Sequence, residues 1–212
     1  VIGILAIEMS GGVFCPLSPR DPQHRLHTLI QQTQSRLVLV HWLTKSKFNN
    51  KIVSIDIHSI RTNNDIISDV NVNQLSSILV TSSNTAYIIF TSGSTGVPKA
   101  IKVRHMNFAG CIYSLVGSDA LNKHDKVAQM ARCSFDLQLQ EILGSLMIGA
   151  TVILLHPKGT VDFDYLSHIL HTKEVTYMQS VPSLLQSFFI FLEQRDNVNA
   201  IKHLRSICCA GM

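Results

Sequence analysis

Residues 86–99 read AYIIFTSGSTGVPK, and the interpretation of the whole chain starts from this segment. Its first five residues, Ala86 to Phe90, are all apolar, which predicts a buried strand. The nine residues from Thr91 to Lys99 then carry four hydroxyl groups, two glycines and one lysine. A second strand is predicted from Ile101 to Arg104, so the segment is interpreted as strand, polar loop and strand.

The loop from Thr91 to Lys99 has a composition suited to binding an anion. Glycines allow positive φ angles and a close approach of the backbone to a ligand, and consecutive N–H groups in such a turn form an anion-binding nest. Hydroxyl groups and a lysine ammonium add donors and charge for phosphate oxygens. We therefore predict a polyphosphate site. The alternative is a flexible polar turn, a type that seldom ends in Pro-Lys between two apolar strands.

Two common nucleotide-binding motifs are excluded by the residues that follow Gly96. A Walker loop requires Gly-Lys-Ser/Thr leading into a helix, whereas Val97 and Pro98 separate Gly96 from Lys99 and a strand is predicted next. The dinucleotide-binding fingerprint also leads into a helix. The sequence therefore excludes a P-loop kinase and a dinucleotide site at this loop.

The rest of the chain alternates apolar strands with helices. This order predicts an α/β fold with a buried, largely parallel sheet. A buried helix is predicted at 1–10, which is apolar at nearly every position, and a long polar loop at 57–85. A further helix is predicted to begin at Asp21 as N-cap, with Pro22 in its first turn. The other predicted helices are 106–118, 137–148, 163–171 and 182–193. The other predicted strands are 13–17, 36–41, 51–57, 126–131, 151–155, 175–178 and 204–209.

Composition narrows the functional classes. The chain has 212 residues, of which 46% are hydrophobic and 15% charged, and its net charge is +4. These values exclude a disordered chain, and a small, scattered basic excess does not favour a nucleic-acid partner. Glu8 and Glu141 interrupt the longest apolar stretches, so we predict no membrane-spanning helix and no membrane partner.

Cysteines, histidines and the first residue suggest the setting of the protein. Five cysteines without a CxxC pair predict reduced, mostly buried thiols in a cytoplasmic protein. The ten histidines are dispersed, so no metal site is predicted from protein ligands. The chain starts with Val1 and shows no basic region of a signal peptide. We expect it to be a piece of a longer protein.

Residues 86–99, with His105 after them, resemble the core signature of AMP-forming adenylating enzymes. This family includes acyl-CoA synthetases, luciferases and the adenylation domains of nonribosomal peptide synthetases. Two further stretches are similar to motifs of the amino-acid-activating adenylation domains, and the resemblance extends over nearly the whole chain. The first of these two stretches is Gly11-Gly12 followed by Pro16, Pro19, Pro22 and Arg25. The second is Phe135-Asp136 with Glu141, which continues into Gly149-Ala150-Thr151.

The resemblance implies a fold and an activity. The chain is expected to be part of the large N-terminal subdomain of an adenylation domain, with layered αβαβα architecture and largely parallel sheets flanked by helices. The family uses ATP with Mg²⁺ to activate a carboxylic acid, here an amino acid, as an acyl-adenylate with release of pyrophosphate. The acyl group then passes to a thiol, which in peptide synthetases is the phosphopantetheine of a carrier domain.

The resemblance also implies roles for residues of this chain. Seven residues of the loop from Thr91 to Lys99 are expected to bind the phosphates: Thr91, Ser92, Gly93, Ser94, Thr95, Gly96 and Lys99. Asp136 is expected to pair with the substrate's α-ammonium, although an Asp that opens a helix is also a common N-cap. Phe135 is expected beside the acyl site, where its alternative role is core packing. The pocket for the substrate side chain is expected to include Leu137, Gln140, Gln179, Cys208 and Ala210, and its two glutamines suggest a polar, amide-bearing substrate.

Departures from the family pattern keep other functions open. Ala100, Ser18 and Gln138 stand where the family usually has Gly, Asp and Ser. The resemblance further implies a Tyr-Gly-Pro-Thr-Glu type motif, a ribose-binding Asp and a small C-terminal subdomain with a catalytic lysine, and these 212 residues contain none of them. We therefore expect the 212 residues alone to be inactive. The alternatives are an acyl-CoA or other carboxylate ligase, and a non-catalytic adenylation-like module.

Overall fold

The computed structural model describes residues 1–48, 52–62, 77–91 and 98–209. The chain divides into two compact units, unit 1 (Val1–Phe108) and unit 2 (Ala109–Met212). Within the described residues, every helix is too short or too polar to span a bilayer. The architecture confirms the predicted α/β class, with largely parallel strands flanked by helices.

Unit 1 contains a short parallel strand pair and an antiparallel hairpin. β1 pairs with β2 in parallel, and β3 pairs with β4 antiparallel. β3 is buried from Ala86 to Ile89, as its apolar sequence predicts. The elements of this unit are α1 (Ile2–Met9), α2 (Gln23–Thr33), β1 (Val38–Val40), a 3-10 turn (Lys45–Lys47), β2 (Ser54–Asp56), α3 (Ile57–Thr62), β3 (Thr85–Thr91) and β4 (Lys99–Arg104); α4 (His105–Gly117) begins here and continues into unit 2.

Unit 2 is built on one parallel sheet with the strand order β6-β5-β7-β8. The remaining elements are β5 (Lys126–Gln129), α5 (Leu137–Leu139), a π-helix (Gln140–Gly144), α6 (Ser145–Ile148), β6 (Thr151–Leu154), α7 (Phe163–Thr172), β7 (Tyr177–Ser180), α8 (Pro182–Gln194), a 3-10 turn (Val198–Ile201) and β8 (Ser206–Cys209). All four residues of β7 are buried, which agrees with a parallel strand covered on both faces.

Both faces of the unit 2 sheet are covered, because successive strand residues point to opposite sides. On one face, Ala128 and Met178 pack in a cluster with residues of α7 and α8, among which Phe188 is 1% exposed. On the other face, Val127 and Tyr177 pack with Leu121. The partly buried residues packed against this cluster are Leu115, Ile148 and Cys208. Burial of each large apolar side chain contributes roughly 1.5–3 kcal/mol, so the sheet is a rigid platform for residues at its ends.

Several predicted elements require correction in unit 1. The helix predicted at 1–10 exists, but it is not buried as a whole: Ile4 is its buried residue, and Ile2 and Met9 are 64% and 62% exposed. An apolar sequence does not show how many faces of a helix pack against other residues. α2 has Pro22 rather than Asp21 as its N-cap residue, because the Asp21 carboxylate accepts a bond from Arg25 Nε at 3.2 Å instead of capping the helix.

Four further predictions differ from the structure. The strand predicted at 13–17 is reduced to one bridge, in which Phe14 pairs with Tyr87. The predicted loop at 57–85 includes α3, while residues 63–76 lie outside the described residues. The helix predicted at 137–148 is interrupted by the π-helix, which the 3.6-residue period of apolar positions does not reveal. The cysteines are less buried than predicted, since Cys111 and Cys209 are exposed and Cys15, Cys133 and Cys208 are half-buried.

Candidate functional site

The two ends of the predicted phosphate loop are paired in the β3–β4 hairpin. Thr91 and Lys99 are register partners, and directly opposite residues of an antiparallel pair share a face of the sheet. Both are exposed, and Lys99 forms no ion pair with any described residue. A hydroxyl and an uncompensated ammonium on one face suit a phosphate ligand. Ser92, Gly93, Ser94, Thr95 and Gly96 lie outside the described residues.

The hairpin also corrects one predicted boundary. Lys99 is the first residue of β4 rather than the last residue of a loop. The pairing of Thr91 with Lys99 therefore fixes both strand ends, and the chain after Lys99 continues as a strand. This arrangement agrees with the exclusion of a Walker loop, in which the lysine stands at the start of a helix.

A second group of candidate residues lies at the carboxyl ends of the parallel strands of unit 2. In open α/β sheets, ligands bind at this edge. β5 ends at Gln129, and Gln179 of β7 is the register partner of Cys208 of β8. The 130–136 loop, which follows β5, leads to Phe135 and Asp136. The sequence-predicted pocket residues of unit 2 are therefore brought to one edge of one sheet, and Ala210 lies outside the described residues.

Asp136 is the N-cap residue of α5. Its Oδ1 accepts a bond from Leu137 N at 3.0 Å, which is the capping role that the sequence left open. Its side chain is nevertheless exposed, and no described cation forms an ion pair with it. Phe135 beside it is 54% exposed, so core packing does not account for this aromatic ring in unit 2. The pair presents an uncompensated carboxylate next to an apolar surface.

Glu141 is a fully buried carboxylate next to this loop. It is 1% exposed and its two oxygens accept bonds from Ala131 N at 3.2 and 2.9 Å. Burial raises the pKa of Glu141 from its ordinary value of 4.5 to about 7, and hydrogen bonds from Ala131 N, Met130 N and the side chains of Gln129 and Gln179 oppose that rise only in part. These four donors are neutral, so no positive charge among them offsets the ionised form.

Gln179 links this carboxylate to the start of α5. Its Nε2 donates to Leu137 O at 3.2 Å, and its Oε1 accepts from the hydroxyl of Tyr177 at 3.3 Å. Both polar atoms of the amide of this 4%-exposed residue therefore have partners within unit 2. Burial, followed by the bond to Cys208 and nearby negative charge, raises the pKa of the Tyr177 phenol. Of the two glutamines that suggested an amide-bearing substrate, only Gln140 therefore remains as support for that prediction.

The other predicted pocket residues differ in their surroundings. Gln140 is half-buried, and its Nε2 lies 3.5 Å from Cys111 Sγ. Leu137 and Cys208 are half-buried as well. Among the described residues, no group of three or more His, Cys, Asp or Glu side chains is arranged to hold a metal ion.

The amino ends of the same strands carry a different buried carboxylate. Asp125 is 2% exposed and its Oδ2 accepts from Arg205 Nη2 at 2.7 Å, while its Oδ1 accepts from Thr176 Oγ1 at 2.7 Å. Burial alone would raise the pKa of Asp125, but the hydrogen bonds from Arg205, Thr176 and Asn122 N and the charge of Arg205 lower it below its usual range. We name Asp125 and Arg205 the amino-end ion pair.

A second carboxyl with a raised pKa belongs to unit 1. Burial raises the pKa of Glu8, in α1, from 4.5 to about 7. Its Oε2 lies 3.8 Å from Nε2 of His105, the first residue of α4. The pair joins the helix that precedes Gly11-Gly12 to the residue that follows the hairpin, a contact that the sequence did not suggest.

Sequence patterns predicted no role for Glu141, Gln129 or Tyr177. Glu141 stands out in the sequence only because it accompanies Phe135 and Asp136 and because it interrupts an apolar stretch. A single charged residue within an apolar helix was the available signal, since such a residue is buried only with hydrogen-bond partners. The sequence does not show which partners these are, because one of the neighbours of Glu141 is Gln179, which lies 38 positions further along the chain.

The fold defines an α/β protein with largely parallel strands flanked by helices, and comparisons with known proteins give its family. The family model for AMP-binding enzymes matches residues 1–212. Tyrocidine synthase 3 of Brevibacillus parabrevis is 28% identical over 187 residues, which are 87% of this chain and 3% of that protein. Zwittermicin A synthase ZmaJ of Bacillus cereus is 28% identical over 215 residues, which are 100% of this chain and 39% of that protein.

Solved structures agree with the fold. The crystal structure of the nonribosomal peptide synthetase FmoA3, in its α-methyl-L-serine-AMP bound form, matches with a TM-score of 0.81 at 21% identity over 99% of this chain and 22% of that one. The chain belongs to the family of AMP-binding enzymes. It spans 39% or less of the length of these relatives.

Proposed function

We propose that the protein containing this chain activates an amino acid with ATP, as adenylation domains of peptide synthetases do. A carboxylate oxygen of the substrate attacks the α-phosphorus of ATP, the bond to the β-phosphate oxygen breaks, and pyrophosphate leaves. The acyl-adenylate is then attacked by the thiol of a carrier-bound phosphopantetheine. A thioester forms, AMP leaves and the thiol proton passes to solvent. Residues 1–212 supply part of the large N-terminal subdomain in this proposal.

The observation that carries the proposal is the exposed, uncompensated carboxylate of Asp136 at the edge of the sheet where ligands bind in this class of fold. A carboxylate there forms a charge-assisted bond with an α-ammonium and discriminates against acids that lack the amine. A general carboxylate ligase has no use for such a charge. The relatives support the same class of substrate, since FmoA3 is described with α-methyl-L-serine-AMP bound.

The phosphates are assigned to the hairpin. Lys99 and Thr91, with the intervening loop, would bind the β- and γ-phosphates and the departing pyrophosphate. Stabilisation of this spread negative charge is the main catalytic requirement of such a transfer. Mg²⁺, which the family uses to neutralise triphosphate charge, finds no ligand cluster among the described residues, and we assign it to none of them. The 212-residue chain alone is expected to give no adenylation.

The test is amino-acid-dependent ATP–pyrophosphate exchange by the intact protein, with proteinogenic amino acids and with fatty and aryl acids. We expect exchange with one or a few amino acids. In Asp136→Ala the KM for the amino acid should rise by up to about 100-fold, because loss of a charge-assisted hydrogen bond to the ammonium costs up to about 3 kcal/mol, while the KM for ATP stays within about twofold.

Asp162→Ala is the matched control. Asp162 is also an N-cap aspartate, which accepts from Tyr165 N at 3.1 Å. Removal of either cap should cost about 1 kcal/mol of stability, so a capping role alone predicts equal effects of the two variants. Exchange with fatty or aryl acids only would replace the proposal with a general carboxylate ligase. Absence of exchange with every acid would favour a non-catalytic module.

A further inference from the structure

The 130–136 loop is held at both of its ends by side chains from elsewhere in unit 2. At its start, Ala131 N donates to Glu141 at 2.9 Å. Just after its end, Leu137 O accepts from Gln179 Nε2 at 3.2 Å. Phe135 and Asp136 lie between these two fixed points and are exposed. Their position relative to the sheet therefore depends on the two attachments.

Glu141 connects the two attachments. Its carboxylate accepts from Ala131 N at the start of the loop, and it is close enough to Gln179, which holds Leu137 O, for the Gln179 amide to lower the pKa of Glu141. Glu141 itself belongs to the π-helix Gln140–Gly144. A π-helical turn inside an α-helix is a local irregularity that is frequent at functional sites.

Stability does not explain why a carboxylate stands at this position. Its donors are neutral, and an ionised carboxylate in an uncharged interior is unfavourable. A carboxylate does offer about four acceptor sites, and both oxygens of Glu141 accept from Ala131 N. An apolar side chain of similar size leaves Ala131 N without this acceptor.

We propose that Glu141 is a positioning residue, which fixes the 130–136 loop through Ala131 N and Gln179 and so sets where Asp136 receives the substrate. This inference rests on the proposed function of Asp136, but the fixation of the loop is measurable without it. Glu141 touches no substrate in this scheme. Its effect reaches the amino acid only through the backbone of the loop.

The first experiment separates positioning from general destabilisation by steady-state exchange kinetics on the intact protein. In Glu141→Met, which keeps the volume and removes all acceptors, the KM for the amino acid should rise about tenfold or more and the KM for ATP should stay within about twofold. Glu141→Gln keeps one carbonyl oxygen and should restore part of the affinity. Gln179→Met should reproduce the effect, and the double variant Glu141→Met/Gln179→Met should be little worse than either.

The matched control is Asp125→Asn, an equally buried carboxylate of the same unit at the opposite ends of the strands. It should lower stability and leave the ratio of the two KM values unchanged. Equal rises in both KM values in Glu141→Met and Gln179→Met, or unchanged values in folded variants, would overturn the inference.

Hydrogen–deuterium exchange of the peptide that contains residues 131–137 gives a readout independent of catalysis. Uptake should be at least about tenfold faster in Glu141→Met than in the wild-type protein, and unchanged in Asp125→Asn. Unchanged uptake in Glu141→Met refutes the positioning role whatever the activity is. Faster uptake in a protein that exchanges no amino acid refutes the proposed function alone and supports the positioning role of Glu141.

Discussion

The two ends of the unit 2 sheet each bury one carboxylate, and the two carboxylates differ in their partners. Asp125, at the amino ends, faces the guanidinium of Arg205. Glu141, at the carboxyl ends, faces backbone and glutamine amides. The pKa of Asp125 is lowered and the pKa of Glu141 is raised to about 7. Burial raises the pKa of both, but only at Asp125 is it outweighed, by the hydrogen bonds from Arg205, Thr176 and Asn122 N together with the charge of Arg205.

This difference separates two uses of a buried acid. The amino-end ion pair joins the turn before β5 to the residue before β8, 80 positions apart in sequence, and stabilises the ionised form. The network around Glu141 holds a loop without neutralising the charge. The first arrangement serves the stability of the sheet, and the second serves the geometry of the loop that carries Phe135 and Asp136.

The largest effect is expected when the amino-end ion pair is broken from its cationic side. Arg205→Ala leaves Asp125 buried without its cation, which should lower the free energy of unfolding by roughly 3 kcal/mol. Urea denaturation of the intact protein measures it. The control is Lys126→Ala, which removes the exposed bridge between Lys126 Nζ and Glu174 Oε2 at 2.7 Å; an equal loss in both variants would show that burial of the Asp125 carboxylate is unimportant.

An intermediate effect is expected from the pH dependence of Glu141→Gln. The raised pKa of Glu141 means that its favourable, neutral state is fully present below 4.5 and is lost as the pH rises through about 7. Relative to the wild-type protein, Glu141→Gln should therefore gain about 2 kcal/mol of stability between pH 5 and pH 8. Urea denaturation at a series of pH values provides the measurement.

Asp125→Asn sharpens this contrast because its sign is opposite. The lowered pKa of Asp125 means that its stabilisation is present above the ordinary aspartate range and is lost as the pH falls through the lower pKa of the folded state. The deficit of Asp125→Asn should thus stay constant from pH 5 to pH 8 and shrink in acid. Parallel pH profiles of the two variants would contradict the distinction between the two ends.

The smallest effect concerns one hydrogen bond of the network around Glu141. Tyr177→Phe removes the hydroxyl that donates to Gln179 Oε1 at 3.3 Å and should lower the free energy of unfolding by about 1 kcal/mol. Tyr165→Phe is the control, since its hydroxyl accepts from His156 N in a more exposed setting. A loss in Tyr177→Phe no larger than in the control would mean that this bond adds nothing to the support of Gln179.

Local signals predicted much of the fold. The apolar run before Thr91 predicted β3, and the same reasoning located most strands of unit 2 within a few residues. These features depend on residues close in sequence, where side-chain spacing and backbone preference act directly. The exposure of α1 and the π-helix at Gln140–Gly144 were missed, because both depend on what packs against the helix.

The candidate site, like the fold, was predicted only in part from the sequence. Asp136 at the start of a helix and the hydroxyl- and glycine-rich loop were visible in the sequence. The bond from Gln179 to Leu137 O and the effect of Gln179 on the pKa of Glu141 were not visible. A glutamine has the same sequence signature in a pocket wall and in a buried network, so only its neighbours distinguish the two.

The sequence by itself determined most strands and helices in chain order and the acidic residue at the start of α5. Tertiary structure decided which buried carboxylate meets a cation and which meets only neutral donors. The physical reason is range: helix caps and strand patterns are set within a few residues, whereas the charge state of a buried acid is set by groups that the fold brings near it from distant positions.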